Sequence, residues 1–191
     1  MGIIDGNKFM QAASTDETRR IRARACEILY SYVAALAAMK NVPLGREYVK
    51  TIADIVLARF DASEVRRLAE TRHIEISPDL QSGLDLYLDY EGARYVVMAF
   101  VHMARLSVSP ETRDGLVQAV YMAVTGDVPY DNRRPMSMWR WPSTKALEHM
   151  LVLRVGDLPA PCGPDELLQM ILTPGIAEPI TAPTLGRGCD A

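Results

Sequence analysis

The stretch Leu84-Asp85-Leu86-Tyr87-Leu88-Asp89-Tyr90 reads in two ways, and the choice between them decides the fold class. Alternating Leu84, Leu86, Leu88 and Tyr90 would make a half-buried strand. Leu80, Leu84, Tyr87, Leu88 and Tyr95 instead recur at the steps of three and four that give a helix one apolar face. The flanks favour the helix. Ser77 offers a capping hydroxyl directly before Pro78, and proline is well tolerated at a first helical position. Asp79 then places negative charge where the helix dipole favours it. The reading is a helix from Pro78 to about Glu91, closed by Gly92, followed by a second helix over Ala93–Leu106.

The same grammar extends in both directions. Toward the N-terminus, Ser14-Thr15-Asp16-Glu17 supplies a capping box for a long helix reaching about Lys40, with Ile21, Ala25, Ile28, Tyr32, Leu36 and Met39 as its stripe. Its second half, Val33–Ala38, is apolar all round and is expected at the centre of a core. Asn41-Val42-Pro43 ends it. A second helix is expected over Leu44–Phe60 and a third, capped at Asp61-Ala62-Ser63-Glu64, to about Thr71. Toward the C-terminus, Ser109-Pro110-Glu111 opens a helix that closes at Thr125-Gly126. Ser143 caps another through Leu147 and Leu151, and Gly163-Pro164-Asp165-Glu166 opens a last short one. The fold class is therefore all-α, a single domain of about seven helices over residues 14–173. A flexible leader, 1–13, precedes it, and an irregular or disordered tail, 174–191, follows, punctuated by Pro and Gly.

Composition narrows the function classes. Hydrophobic residues make up 49% and charged residues 24%, enough apolar side chain to exclude wholesale disorder. A net charge of −3 gives no general attraction to nucleic acid or an anionic membrane. Charge is uneven, basic over 1–60, acidic over 61–131 and balanced beyond. The longest near-continuous apolar run, Ile28–Met39, has 12 residues and is too short to span a bilayer. Cys26, Cys162 and Cys189 are odd in number and match no zinc spacing, which points to a reducing, cytoplasmic compartment. The first residues carry no signal-peptide pattern.

Function is expected where the helical grammar stops. Tyr130–Pro142 reads Y-D-N-R-R-P-M-S-M-W-R-W-P and holds both tryptophans of the chain. Trp, Tyr, Arg and Met combine large contact area with a polar or adaptable end, and they enrich protein interfaces. Tyr130, Arg133, Arg134, Met136, Met138, Trp139, Arg140 and Trp141 are thus the candidate partner-binding residues of an irregular loop. The other reading of the loop is a lid whose aromatics close the core. Of the pair, Trp139 is expected to be the anchor and Trp141 the more exposed.

Other chemistry is thinner. Asp85 and Asp89 share a helix face and read as a solvated acidic surface able to receive Arg19, Arg20, Arg22 or Arg24. His73, His102 and His149 are scattered, and His102 reads as a histidine at the edge of the core. Cys162, just before a helix start, could have a lowered thiol pKa, but a nucleophile also needs a base and an oxyanion site. No phosphate loop, nucleophile elbow or dinucleotide fingerprint occurs. No catalytic residue, cofactor or metal is expected. The function that fits is a non-enzymatic adaptor, regulatory or accessory subunit. It would bind a protein through the loop and an adjoining helix face, and it could form a homodimer. The alternatives are a nucleic-acid-associated regulator using Arg19–Arg24 with Arg133–Arg140, and, third, an enzyme with a Cys162 nucleophile.

Overall fold

The computed structural model describes residues 6–126, 139–156, 163–172 and 176–179. Among them run seven helices: α1 (Gly6–Met39), α2 (Arg46–Leu57), α3 (Ala62–Thr71), α4 (Pro78–Met103), α5 (Pro110–Thr125), α6 (Thr144–Val155) and α7 (Pro164–Ile171). Two-residue strands β1 (Trp139–Arg140) and β2 (Glu178–Pro179) complete the set, paired antiparallel with Trp139 opposite Pro179 and Arg140 opposite Glu178. The all-α class follows directly.

Apart from the box at Ser14, which lies inside α1, the helix-start caps read from sequence are made. Asp61 accepts from the backbone N–H groups of Ser63 and Glu64, and Glu64 accepts from the N–H of Asp61, closing a capping box. Ser77, Ser109 and Ser143 accept from the N–H groups of Leu80, Thr112 and Ala146. Glu166 accepts from the Gly163 N–H at 2.8 Å to open α7. Each such contact satisfies a donor that a helix start would otherwise leave unpaired.

Three boundaries differ from the sequence reading. Helix α1 begins at Gly6, so most of the segment expected as a leader is helical. Nothing in Asn7–Ala13 breaks a helix, and the capping box at Ser14 does not stop propagation from upstream. Helix α4 is continuous over 26 residues, so Gly92 does not separate two helices and residues 84–90 are helical. A lone glycine weakens a helix by only about 1 kcal/mol, and packing decides the outcome. In the tail, Ile176 is buried and Glu178–Pro179 pairs with β1, so the irregular segment expected from Pro174 has ordered residues at 176–179.

The helical domain expected over 14–173 divides into two compact units, one comprising 1–37 and 44–81, the other 38–43 and 82–191. The first buries Leu29 and Val33 of α1, Ile52 and Val56 of α2, and Val65 and Leu68 of α3. In the second, the core takes Leu88, Val96 and Phe100 from α4, Val120 from α5, Leu151 from α6 and Leu167 from α7. There α5 packs on α7. Tyr90 and Tyr121 join α4 to α5 edge to face, with ring centroids 5.7 Å apart. Arg154 of α6 donates to the Met170 carbonyl in the last turn of α7, where a cation suits the helix dipole. Among the described residues, no helix is long and apolar enough to cross a membrane.

Candidate functional site: a tryptophan anchored on a buried charge cluster

The second unit holds the most unusual chemistry of the described chain. The ammonium of Lys40, just past the end of α1, is 0% exposed, and Asp85 and Asp89 of α4 are 4% and 3% exposed. Lys40 Nζ donates to Asp89 Oδ1 at 2.7 Å and to the Asp85 carbonyl at 3.5 Å, and stands 3.6 Å from Asp85 Oδ1. The ordinary fate of these residue types is exposure, because removing a charge from water is costly unless it is paired. Burial pushes the Asp89 carboxyl up to about 6, and the neighbouring Asp85 adds to the rise, while the Lys40 charge and hydrogen bond oppose it.

Trp141 covers this cluster. It is 0% exposed and the largest fully buried side chain among the described residues. Its backbone N–H donates to the Lys40 carbonyl at 2.8 Å, and its own carbonyl accepts from Asn41 Nδ2 at 2.8 Å. Asn41 has φ 56°, in the left-handed region that asparagine tolerates better than most side chains, and this turn aims its amide at the incoming segment. The indole N–H lies beside the Asp89 carboxylate and favours its charged form without reaching the geometry of a full hydrogen bond.

Gly92 is explained by the same contact. A Cβ there would stand 2.1 Å from Trp141 Nε1, so the indole lies where a side chain would otherwise be. Gly92→Ala is therefore expected to destabilise the protein by about 1–3 kcal/mol through overpacking, although alanine is the better helix former. Gly83→Ala, in the same helix with nothing within 4 Å of the added carbon, should be neutral or stabilising by up to about 1 kcal/mol. Urea unfolding of both variants checks this, and a stabilised Gly92→Ala would contradict the packing.

The expected division of labour between the tryptophans is reversed. Trp141 is the anchor, while Trp139 is half-buried and Arg140 exposed. Register explains it: Trp141 directly follows β1 and is the residue that meets the end of α1. Tyr130, Arg133, Arg134, Met136 and Met138 lie outside the described residues, as do Cys162 and Cys189.

Asp85 and Asp89 do not form a solvated face. On a helical wheel Asp85, Asp89, Gly92 and Val96 fall within about 60° of one another, inside the arc that also carries Leu88 and Phe100. That spacing is the signal a sequence reading could have used, together with a lysine closing the apolar run that ends at Met39. The arginines expected to receive them act elsewhere. Arg19 and Arg20 pair with Asp16 at 3.9 and 3.0 Å, both partners exposed, which stabilises little. Arg24 lines an open groove of about 530 Å³ in the first unit with Glu27, Tyr32 and Arg72, where the Tyr32 hydroxyl is already bonded to Gln81.

Catalytic groupings do not assemble among the described residues. His73, His102 and His149 are all exposed, so His102 is not at the core edge as expected. Cys26 donates its thiol to Asp54 Oδ1 at 3.1 Å, and burial together with that bond pushes its pKa up to about 11, leaving it protonated and a poor nucleophile at neutral pH. No group of three or more His, Cys, Asp or Glu able to hold a metal occurs among the described residues. No protein-family model, curated protein or solved structure matches this chain.

Proposed function

We propose that this protein is a non-enzymatic interaction module, an adaptor, regulatory or accessory subunit that takes a protein partner at the Tyr130–Pro142 loop and the helix that follows it. The observation that carries the reading is the split between the two tryptophans. Trp141 is pinned in the core, so Trp139 and Arg140 leave a fixed point with half-buried and exposed side chains. A rigid aromatic beside an arginine loses little conformational entropy on binding, which is what an interface anchor needs. Helix α6 begins three residues after Trp141 and shows solvent two apolar side chains, Val152 at 60% and Leu153 at 63% exposure. A partner covering both would remove that apolar area from water, which favours association. A second copy of the chain is one partner this reading admits, since Met39 and Met98 of the same unit are also exposed.

The test uses the full chain as bait, isolated from the native host after nuclease treatment. A protein retained by the wild type should bind Trp139→Ala about 30-fold more weakly, corresponding to about 2 kcal/mol, with the melting temperature nearly unchanged. Arg66→Ala, an exposed residue of α3 in the other unit, should bind normally. Equal binding by wild type and Trp139→Ala would remove the loop from the interface. Capture that disappears after nuclease treatment would favour the nucleic-acid reading.

A further inference from the structure

The groove of the first unit has its own chemistry. One wall is the middle of α1, with Arg24, Glu27, Ile28 and Tyr32, and the other is the segment after α3, with Arg72 and Ile74. Its volume of about 530 Å³ is in the range of ligand-sized clefts, and it is open rather than enclosed. That shape suits an extended segment laid across it more than a small molecule sealed inside. Ile28, Tyr32 and Ile74 are half-buried and give it an apolar lining. Glu75, three residues beyond Arg72, is taken by Arg67 at 2.6 Å and so does not neutralise Arg72. Among the described residues, Arg24, Arg72 and Glu27 have no ion-pair partner. Two guanidiniums, Arg24 and Arg72, against one carboxylate, Glu27, leave the lining with a single net positive charge.

We propose that this groove docks an extended acidic peptide segment of a protein partner. Arg24 and Arg72 receive one aspartate or glutamate, and an apolar side chain beside it covers Ile28 and Ile74. Arginine matches a carboxylate through paired N–H donors, and it is enriched among the residues that dominate interface energies. The charge of the lining selects among anions. One carboxylate balances it, whereas a phosphate, with a charge near −2, would overshoot and face Glu27. The Ser31 hydroxyl, also in the lining, donates to the Glu27 carbonyl at 3.0 Å, which leaves its oxygen to accept from a peptide N–H. The groove lies wholly in the first unit and shares no residue with the Trp loop, so it is independent of the interaction reading above.

The probe is a pool of short, amidated, rhodamine-labelled peptides, each with one glutamate flanked by leucine, isoleucine or valine. Fluorescence anisotropy follows its binding to the full chain at low salt. Wild type should bind saturably below about 1 mM, and added salt should weaken the complex. Arg24→Ala and Arg72→Gly should each weaken it about tenfold, and a pool with glutamine in place of glutamate should lose as much. Neither substitution threatens the fold. Alanine is the best helix former at an exposed position of α1, and glycine adopts without penalty the φ of 56° that Arg72 holds at the end of α3. Arg46→Ala, exposed and outside the lining, and Trp139→Ala should both bind as wild type does. No saturable binding by wild type, or equal binding by Arg24→Ala and Arg72→Gly, would overturn the proposal. Loss on Trp139→Ala would move the peptide to the loop and overturn it too. Tighter binding of a phosphoserine pool than of the glutamate pool would overturn the chemical class.

Discussion

Replacing Lys40 with methionine is expected to destabilise the protein by about 3–5 kcal/mol, an effect far larger than any surface charge could give. The substitution keeps the length and apolar stem of the side chain but removes the ammonium that bonds Asp89 at 2.7 Å and lies 3.6 Å from Asp85. Two carboxylates four residues apart on one buried face of α4 would then lose the ammonium that lies between them. A companion variant separates charge from packing. Lys40→Met combined with Asp85→Leu and Asp89→Leu removes all three charges, and it should recover most of the loss, because well-packed apolar groups often replace a buried ion cluster without penalty. Urea unfolding measures both. A Lys40→Met protein within about 1 kcal/mol of wild type would mean that water reaches the cluster.

Trp141→Ala should cost a similar amount, about 3–5 kcal/mol, since it removes the largest fully buried side chain of the described residues and opens a cavity against Gly92. Trp139→Ala should cost about 1 kcal/mol or less, as for a partly exposed residue outside the core. The two losses also differ in kind. Removing the Trp141 indole uncovers the charge cluster, so Trp141→Ala should be sub-additive with Lys40→Met, whereas Trp139→Ala should add independently. Equal losses at the two tryptophans would place both in the core and leave the loop as a lid.

The elements whose ends are set by local chemistry were legible in the sequence. Asp61 with Glu64, Ser109 before Pro110, and Ser143 each name a helix start that the backbone then uses. Propensity around Gly92 was misleading because the deciding partner, Trp141, is 49 residues away in sequence. A glycine read as a stop is instead a seat. Asp85 and Asp89 looked solvated for the same reason. Their helical positions point inward, but only Lys40, brought from the end of α1, makes that burial tolerable. The anchor within the Trp pair depends on which residue meets the α1 C-terminus, a matter of register that composition does not carry. The charge profile along the chain, basic then acidic, pointed to Arg19–Arg24 as partners of the acidic segment, yet Arg19 and Arg20 are satisfied locally by Asp16.

Trp141 anchors the segment on the Lys40–Asp85–Asp89 cluster, while Trp139 is only half-buried beside the exposed Arg140. Single-tryptophan proteins test it most directly, with Trp139→Phe reporting on Trp141 and Trp141→Phe reporting on Trp139. At neutral pH, the protein retaining Trp141 should emit at shorter wavelength and be the less quenched by acrylamide of the two, and the protein retaining Trp139 should show the opposite. A Trp139 that is the more protected of the pair would contradict the account.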